Sequence, residues 1–81
     1  MALKYVASKR GGTVIFTGGI THQDMAQSMG WSKDDITGAG FVHGLASDDV
    51  EKIETVGESV SLGIKADPED KWRIISEIRG Y

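Results

Sequence analysis

The chain has 81 residues, of which 40% are apolar and 26% charged, with a formal net charge of −3 and no cysteine. This length fits one small domain, residues 1–81, whose single hydrophobic core holds the whole structure. The lack of cysteine excludes disulfide scaffolds, thiolate zinc sites and cysteine enzymes. No apolar run approaches the roughly 20 residues that span a bilayer, and residues 1–8 lack a signal-peptide core. We therefore expect a cytoplasmic protein with no membrane association.

The N-terminal region predicts a β-hairpin. Residues 3–8 alternate apolar and polar side chains, and residues 13–17 form a β-branched and aromatic run. Between these runs, Gly11 and Gly12 can supply the positive φ angles that a tight hairpin turn requires.

A helix is predicted over residues 22–29. Thr21 and Asp24 have the spacing of a capping box, and Ile20 and Met25 that of a hydrophobic staple. Gly30 is placed to end the helix in the left-handed conformation.

The next segment allows two interpretations. Ser32 and Asp35 repeat the capping-box spacing, which indicates a helical turn. Residues 37–44, however, contain three glycines beside Phe41 and Val42, a composition that favours a strand. We then expect a loop over residues 45–49 and a returning strand over residues 50–56. A change in the parity of the apolar residues predicts a break near residues 54–57.

The last element is predicted to be a helix capped by Asp67, with Pro68 in its first turn and Gly80 at its end. Trp72, Ile75 and Ile78, flanked by Ile74, would pack on a sheet. The element order ββαββα predicts an α+β fold, with a mainly antiparallel sheet and both helices packed on one face.

The first candidate site is the strand-to-helix junction formed by Gly18, Gly19, Thr21 and His22. Free amides at a helix N-terminus and nearby glycines suit a phosphate or carboxylate, which would make the protein a small anionic ligand or nucleotide binder. No lysine follows as in a nucleotide-binding P-loop, and a capped helix with a glycine turn explains the same residues.

The second candidate is a DNA-binding helix-turn-helix over residues 22–36. Ala26 would allow close helix crossing, Gly30 would form the turn, and Ile36 would anchor the recognition helix. Two aspartates and two glycines in that recognition helix argue against nucleic-acid binding, because affinity for phosphate backbones comes from clustered lysine and arginine.

Metal binding and catalysis have weaker signals. His22, His43, Asp24 and Glu58 lack the close ligand spacing of zinc sites, so we predict no metal and no cofactor. Glu58 with its neighbouring serines lacks an evident base and oxyanion hole. With no complete catalytic set, the protein is predicted not to be an enzyme and to have no catalytic residue.

The remaining candidates point to protein contacts. Asp48, Asp49 and Glu51 begin an acidic block that also contains Glu54 and Glu58. Trp31 follows a turn glycine, where an exposed aromatic side chain could anchor a partner. Trp31, Asp48, Asp49 and Glu51 are therefore the candidate partner-binding residues.

Parts of the sequence resemble small uncharacterised bacterial and prophage-encoded proteins. The similarity is carried by residues 21–28, 38–42, 57–64 and 68–70. It implies no activity, cofactor or catalytic residue, but it favours a strand over residues 38–42 and suggests an accessory protein of phage or mobile-element origin.

These observations favour a non-enzymatic binding module that acts through protein–protein contacts. Its partner would be an unidentified protein, and an exposed sheet edge would allow a homodimer, since edge strands present unpaired amides and carbonyls.

Overall fold

A computed structural model of the chain describes residues 3–45 and 49–79. The elements follow one another as β1 (Leu3–Ser8), β2 (Thr13–Phe16), α1 (His22–Ser28), β3 (Ile36–His43), β4 (Glu54–Val56), β5 (Glu58–Ser59), β6 (Ile64–Lys65) and α2 (Asp70–Arg79). Short 3-10 turns at Lys33–Asp35 and Val50–Lys52 precede β3 and β4. Among the helices of the described residues, none is both long and apolar enough to cross a membrane.

Four of the strands form one antiparallel sheet in the order β2-β1-β3-β4, and β5 pairs with β6 in a separate hairpin. The first two strands form the predicted hairpin, with positive φ at Gly11 and Gly12. The α+β class, the element order and the antiparallel sheet are confirmed, with β5 and β6 as additional short strands.

The two helices lie on opposite faces of the sheet, not on one face as the sequence suggested. β1 is an internal strand, and its consecutive residues Tyr5, Val6 and Ala7 are all fully buried. Tyr5 and Ala7 pack with the α2 residues Ile74 and Ile75. Val6 packs on the other face with the α1 residue Ala26, together with Phe16, Trp31, Ile36, Ala39 and Leu62. The alternating pattern of β1 had suggested one covered face, but an internal strand buries side chains of both parities.

Helix α1 has the predicted ends. The Thr21 hydroxyl accepts a hydrogen bond from the Asp24 amide at 3.1 Å, which caps the first turn. At the other end, Gly30 has a φ of +78° and the Trp31 amide donates to the Ala26 carbonyl at 2.9 Å. This closing turn directs Trp31 into the core beside Ala26.

The predicted helix-turn-helix does not form, because the segment after Gly30 is a 3-10 turn followed by β3. The Ser32 amide donates to Asp35 Oδ2 at 2.9 Å, and this bond lowers the pKa of the Asp35 carboxyl. Gly38 and Gly40 are needed in β3 because other parts of the chain pack closely against the strand at these two positions. A Cβ at Gly38 would overlap the Asp70 carboxylate, and one at Gly40 would lie 2.7 Å from the Val56 carbonyl oxygen.

The region after β3 matches the prediction in part. Only Glu54–Val56 forms a strand, and the predicted break follows it at Gly57, where φ is +75°. Residues 46–48 of the predicted loop lie outside the described residues.

Helix α2 begins at Asp70, two residues later than predicted, and it exposes a different face. The Glu69 amide donates to Asp67 Oδ1 at 3.0 Å, and the Asp70 amide donates to the Asp67 carbonyl at 2.9 Å. Ile74 and Ile75 are buried, whereas Trp72 is 50% and Ile78 54% exposed. The predicted stripe was therefore wrong at Trp72 and Ile78. The proposed end at Gly80 lies outside the described residues.

Candidate functional site

The clearest candidate site is a groove between β4 and the start of α2, which we call the acidic groove. It has a volume of about 560 Å³. Its lining residues come from the segment before β4, from β4 itself, from the turn before α2 and from the first turn of α2: Glu51, Ile53, Glu54, Thr55, Pro68, Glu69, Lys71 and Trp72. Three carboxylates against one ammonium give the groove a negative charge.

The cap of α2 forms one wall of the acidic groove. The Thr55 hydroxyl of β4 donates to the Asp67 carbonyl at 2.7 Å, which holds the turn before α2 against the strand. Asp67 in turn accepts from the Glu69 amide. Because these bonds fix Pro68 and Glu69 beside β4, the Glu54 and Glu69 carboxylates border the same groove.

Trp72 gives the acidic groove an aromatic surface. Half of the Trp72 side chain is exposed, and the Lys71 ammonium lies 4.9 Å from the centroid of its ring. A cation at this distance is attracted by the negative face of the ring. The groove therefore combines carboxylates with a ring that already contacts one cation.

The groove lies beside an edge of the sheet. β4 pairs with β3 on one side, and among the described residues no strand pairs with its other side. Edge strands have backbone groups available to an added strand. The acidic groove and this open edge are therefore neighbours on one side of the molecule.

The predicted partner-binding residues separate in the structure. Glu51 lines the acidic groove. Asp49 precedes it and accepts a hydrogen bond from the Glu51 amide at 3.0 Å. Asp48 lies outside the described residues. Trp31 is only 9% exposed and packs in the core, so its prediction as an exposed anchor was wrong.

Sequence reasoning missed Glu69 and Trp72 as parts of a site and used Glu54 only as part of the acidic block. Glu69 was not singled out as a site residue, and Trp72 was assigned to the helix face that packs on the sheet. The adjacent pair Ile74 and Ile75 could have indicated the exposure of Trp72. At about 100° per residue, the helix face that these two isoleucines share points well away from Trp72.

The residues of the predicted anion site make contacts within the chain. The Lys4 ammonium donates to the carbonyls of Gly18 at 3.3 Å and Ile20 at 3.0 Å. Gly19 is exposed, and the Thr21 hydroxyl caps α1. His22 is 6% exposed and its Nε2 lies 2.8 Å from the Gly40 carbonyl oxygen, so the ring points into the core. Lys4 therefore lies at this junction, whereas the His22 ring is turned away from it. Anion binding at the junction stays a prediction.

The residues weighed as metal ligands do not converge in the described part of the chain. His22 is buried between the rings of Phe16 and Phe41, with both centroids 5.6 Å away. His43 is exposed at the end of β3. In residues 3–45 and 49–79, no group of three or more histidine, aspartate or glutamate side chains could hold a metal ion.

No protein-family model matches the chain, and comparison with curated proteins and with solved structures gives no match either. The resemblance to small bacterial and prophage-encoded proteins therefore brings no functional residue to this site.

Proposed function

We propose that this chain is a non-enzymatic binding module that holds a basic, extended segment of another protein in the acidic groove. One observation carries the proposal: three glutamates and a half-exposed tryptophan line a single groove beside the open edge of β4. Each of these features alone is common on protein surfaces. Together they match a cationic segment in charge, in side-chain chemistry and in backbone pairing.

Charge selects a basic partner. Glu51, Glu54 and Glu69 surround the groove, with Lys71 as the single cation among its lining residues. A segment rich in arginine or lysine is attracted to this surface, and the attraction weakens with salt because exposed charges are screened. The position of Lys71 above the Trp72 ring supports the same chemistry, because an arginine from the partner can contact an aromatic face in the same way.

The edge of β4 supports an extended conformation for the bound segment. A peptide that adds a strand to a sheet gains affinity from main-chain hydrogen bonds and specificity from side-chain pockets. β4 has only three residues, so its ladder is short and the flanking side chains must add much of the affinity. The side chains of the acidic groove lie beside β4 and can supply these additional contacts.

A synthetic basic peptide tests the proposal. The probe is a fluorescein-labelled octapeptide of alternating arginine and threonine, and binding is measured by fluorescence anisotropy at low salt. The triple variant Glu51→Gln, Glu54→Gln, Glu69→Gln should bind the probe at least about tenfold more weakly than the unmodified protein. An octapeptide of alternating glutamate and threonine should not bind.

A matched variant separates the groove from net charge. Asp24→Asn, Asp34→Asn, Glu77→Gln removes the same three charges from exposed positions that do not line the groove. This control should retain most of the affinity. Equal losses in the two triple variants would show that bulk charge is responsible, and an unmodified protein that fails to bind the basic peptide would contradict the proposal outright.

A further inference from the structure

A second surface lies on the other face of the sheet, where the β5–β6 hairpin meets α1. Val60, at the turn of this hairpin, is 89% exposed. It forms one wall of a mainly apolar depression of about 430 Å³, which we call the hairpin depression. The depression is lined by Lys4, Thr21, His22, Phe41, Glu58, Val60 and Ser61.

The turn that carries Val60 is held in place on both sides. Ser59 is fully buried; its hydroxyl accepts from the Leu62 amide at 3.1 Å, and its carbonyl accepts from the Gly63 amide at 2.8 Å. On the α1 side, the Gln23 amide donates to the Ser61 hydroxyl at 3.2 Å. With its neighbours fixed in this way, Val60 is preorganised to project into solvent, and its burial by a partner costs little ordering entropy.

Two opposite charges border the hairpin depression. Lys4 is positioned by its bonds to the Gly18 and Ile20 carbonyls, and Glu58 lies at the start of the hairpin. In the described residues these two side chains do not form an ion pair with each other. An anionic ligand attracted by Lys4 would also meet the Glu58 carboxylate, so the charges do not favour a small anion.

The same charges favour a second copy of this chain. In a twofold dimer both subunits use the same surface. Each group in that surface must therefore find a complementary group elsewhere in the same surface of the partner. Here a projecting apolar side chain stands beside an apolar depression, and a cation stands beside a carboxylate. Both pairs become complementary when the surface meets itself.

We propose that the hairpin depression is the interface of a homodimer in which Val60 of each subunit inserts beside Phe41 of the other. Lys4 then faces the partner's Glu58 on both sides of the twofold axis. This interface differs from the sheet-edge dimer expected from the sequence. It lies on the face covered by α1 and leaves the acidic groove beside α2 accessible, so the two proposals fail or hold independently.

Sedimentation velocity over a range from micromolar to submillimolar protein tests the interface. The unmodified chain should approach twice its mass of 8.7 kDa as the concentration rises. Val60→Asp should raise the dimer dissociation constant at least about tenfold, because it places a charge in the apolar contact. The control Ile78→Asp alters another exposed apolar residue, on α2, and should leave the dimer unchanged.

Charge reversal gives a second, more specific measurement. Glu58→Lys alone and Lys4→Glu alone should each weaken self-association, because like charges then meet across the twofold axis. An equimolar mixture of these two variants should recover dimers, since every reversed charge faces an opposite one. If Lys4→Glu disturbs folding, Val60→Asp and Glu58→Lys decide the question. A chain that stays monomeric at the highest concentration, or a dimer that tolerates both Val60→Asp and Glu58→Lys, would overturn the proposal.

Discussion

The two helices are attached to the sheet by different kinds of polar contact. Each begins with a buried polar residue, His22 in α1 and Asp70 in α2. Asp70 belongs to a network: its Oδ2 accepts from the Tyr5 hydroxyl at 2.6 Å, and its Oδ1 lies 3.6 Å from Arg73 Nε. His22 makes one hydrogen bond, to the Gly40 carbonyl, and its ring edges contact two phenylalanines.

The attachment of α2 therefore has more polar partners than the attachment of α1. A carbonyl oxygen can only accept, so His22 Nε2 carries a hydrogen and donates it to the Gly40 carbonyl. In the described residues, every buried side-chain nitrogen and oxygen has a hydrogen-bond partner. Because Asp70 has more partners than His22, we expect the α2 attachment to contribute more stability than the α1 attachment.

Among the substitutions that test these two attachments, Gly38→Ala should reduce the free energy of unfolding most. The added methyl group would overlap the Asp70 carboxylate and lie 3.4 Å from the Tyr5 hydroxyl. Asp70 is 2% exposed and cannot move away without breaking its bond to Tyr5. We expect a loss of about 2–3 kcal/mol in the free energy of unfolding, measured by urea denaturation.

Gly19→Ala is the matched control for that measurement. A methyl group at Gly19 would have no atom within 4 Å, and its φ lies outside the left-handed region. Its unfolding free energy should stay within about 0.5 kcal/mol of the unmodified protein. Equal effects at Gly38 and Gly19 would show that the Asp70 contact does not position α2.

Tyr5→Phe should have the next largest effect. It keeps the buried ring but removes the hydroxyl that donates to Asp70 and accepts from the Asp67 amide at 3.2 Å. Leaving a buried carboxylate without this donor should cost about 1–3 kcal/mol. A double-mutant cycle with Asp70→Asn measures the coupling, which should reach about 1 kcal/mol. A coupling near zero would mean that ring packing alone attaches β1 to α2.

The same phenol makes the α2 attachment sensitive to high pH. Burial, reinforced by the hydrogen bond to Asp70, raises the pKa of Tyr5 above its ordinary value of 10.0. Above pH 10 the unfolded chain loses the Tyr5 proton while the folded protein keeps it, so the stability due to this group decreases as the pH rises. The stability difference between the unmodified protein and Tyr5→Phe should therefore shrink above pH 10 and stay constant between pH 7 and pH 9. A constant difference across the whole range would contradict this assignment.

Local features of this fold were readable from the sequence. Gly11 and Gly12 indicated the hairpin turn, and Thr21 and Gly30 marked the ends of α1, because turns and caps depend on residues close together in the chain. The sequence did not show that both faces of the sheet are covered by helices. Val6 shares its side of β1 with the polar residues Lys4 and Ser8, and its burial depends on α1 packing from a distant part of the chain.

The candidate site could be predicted from the sequence only in part, because most of its residues come together through contacts between distant segments. Glu51 stood out because it belongs to a local acidic block. Trp31 and Trp72 exchanged their expected roles: Trp31 is buried under Gly12, whose added Cβ would lie 3.3 Å from the indole ring, and Trp72 is exposed. Glu69 lines the same groove as Glu54 only because the turn before α2 packs against β4, and this contact joins residues 12 positions apart in the chain.

His22→Leu should have the smallest of these effects on global stability. The leucine keeps apolar contact with Phe16 and Phe41 but removes the single hydrogen bond to Gly40, at a cost of about 1 kcal/mol. His43→Gln, at an exposed position, should change stability by less than about 0.5 kcal/mol. Hydrogen exchange gives the sharper test, because a seven-residue helix depends on tertiary contacts for its stability. His22→Leu should speed amide exchange in α1 and spare α2, whereas Tyr5→Phe should do the reverse. Equal acceleration in both helices would mean that they open as one unit and that the two attachments are not separable.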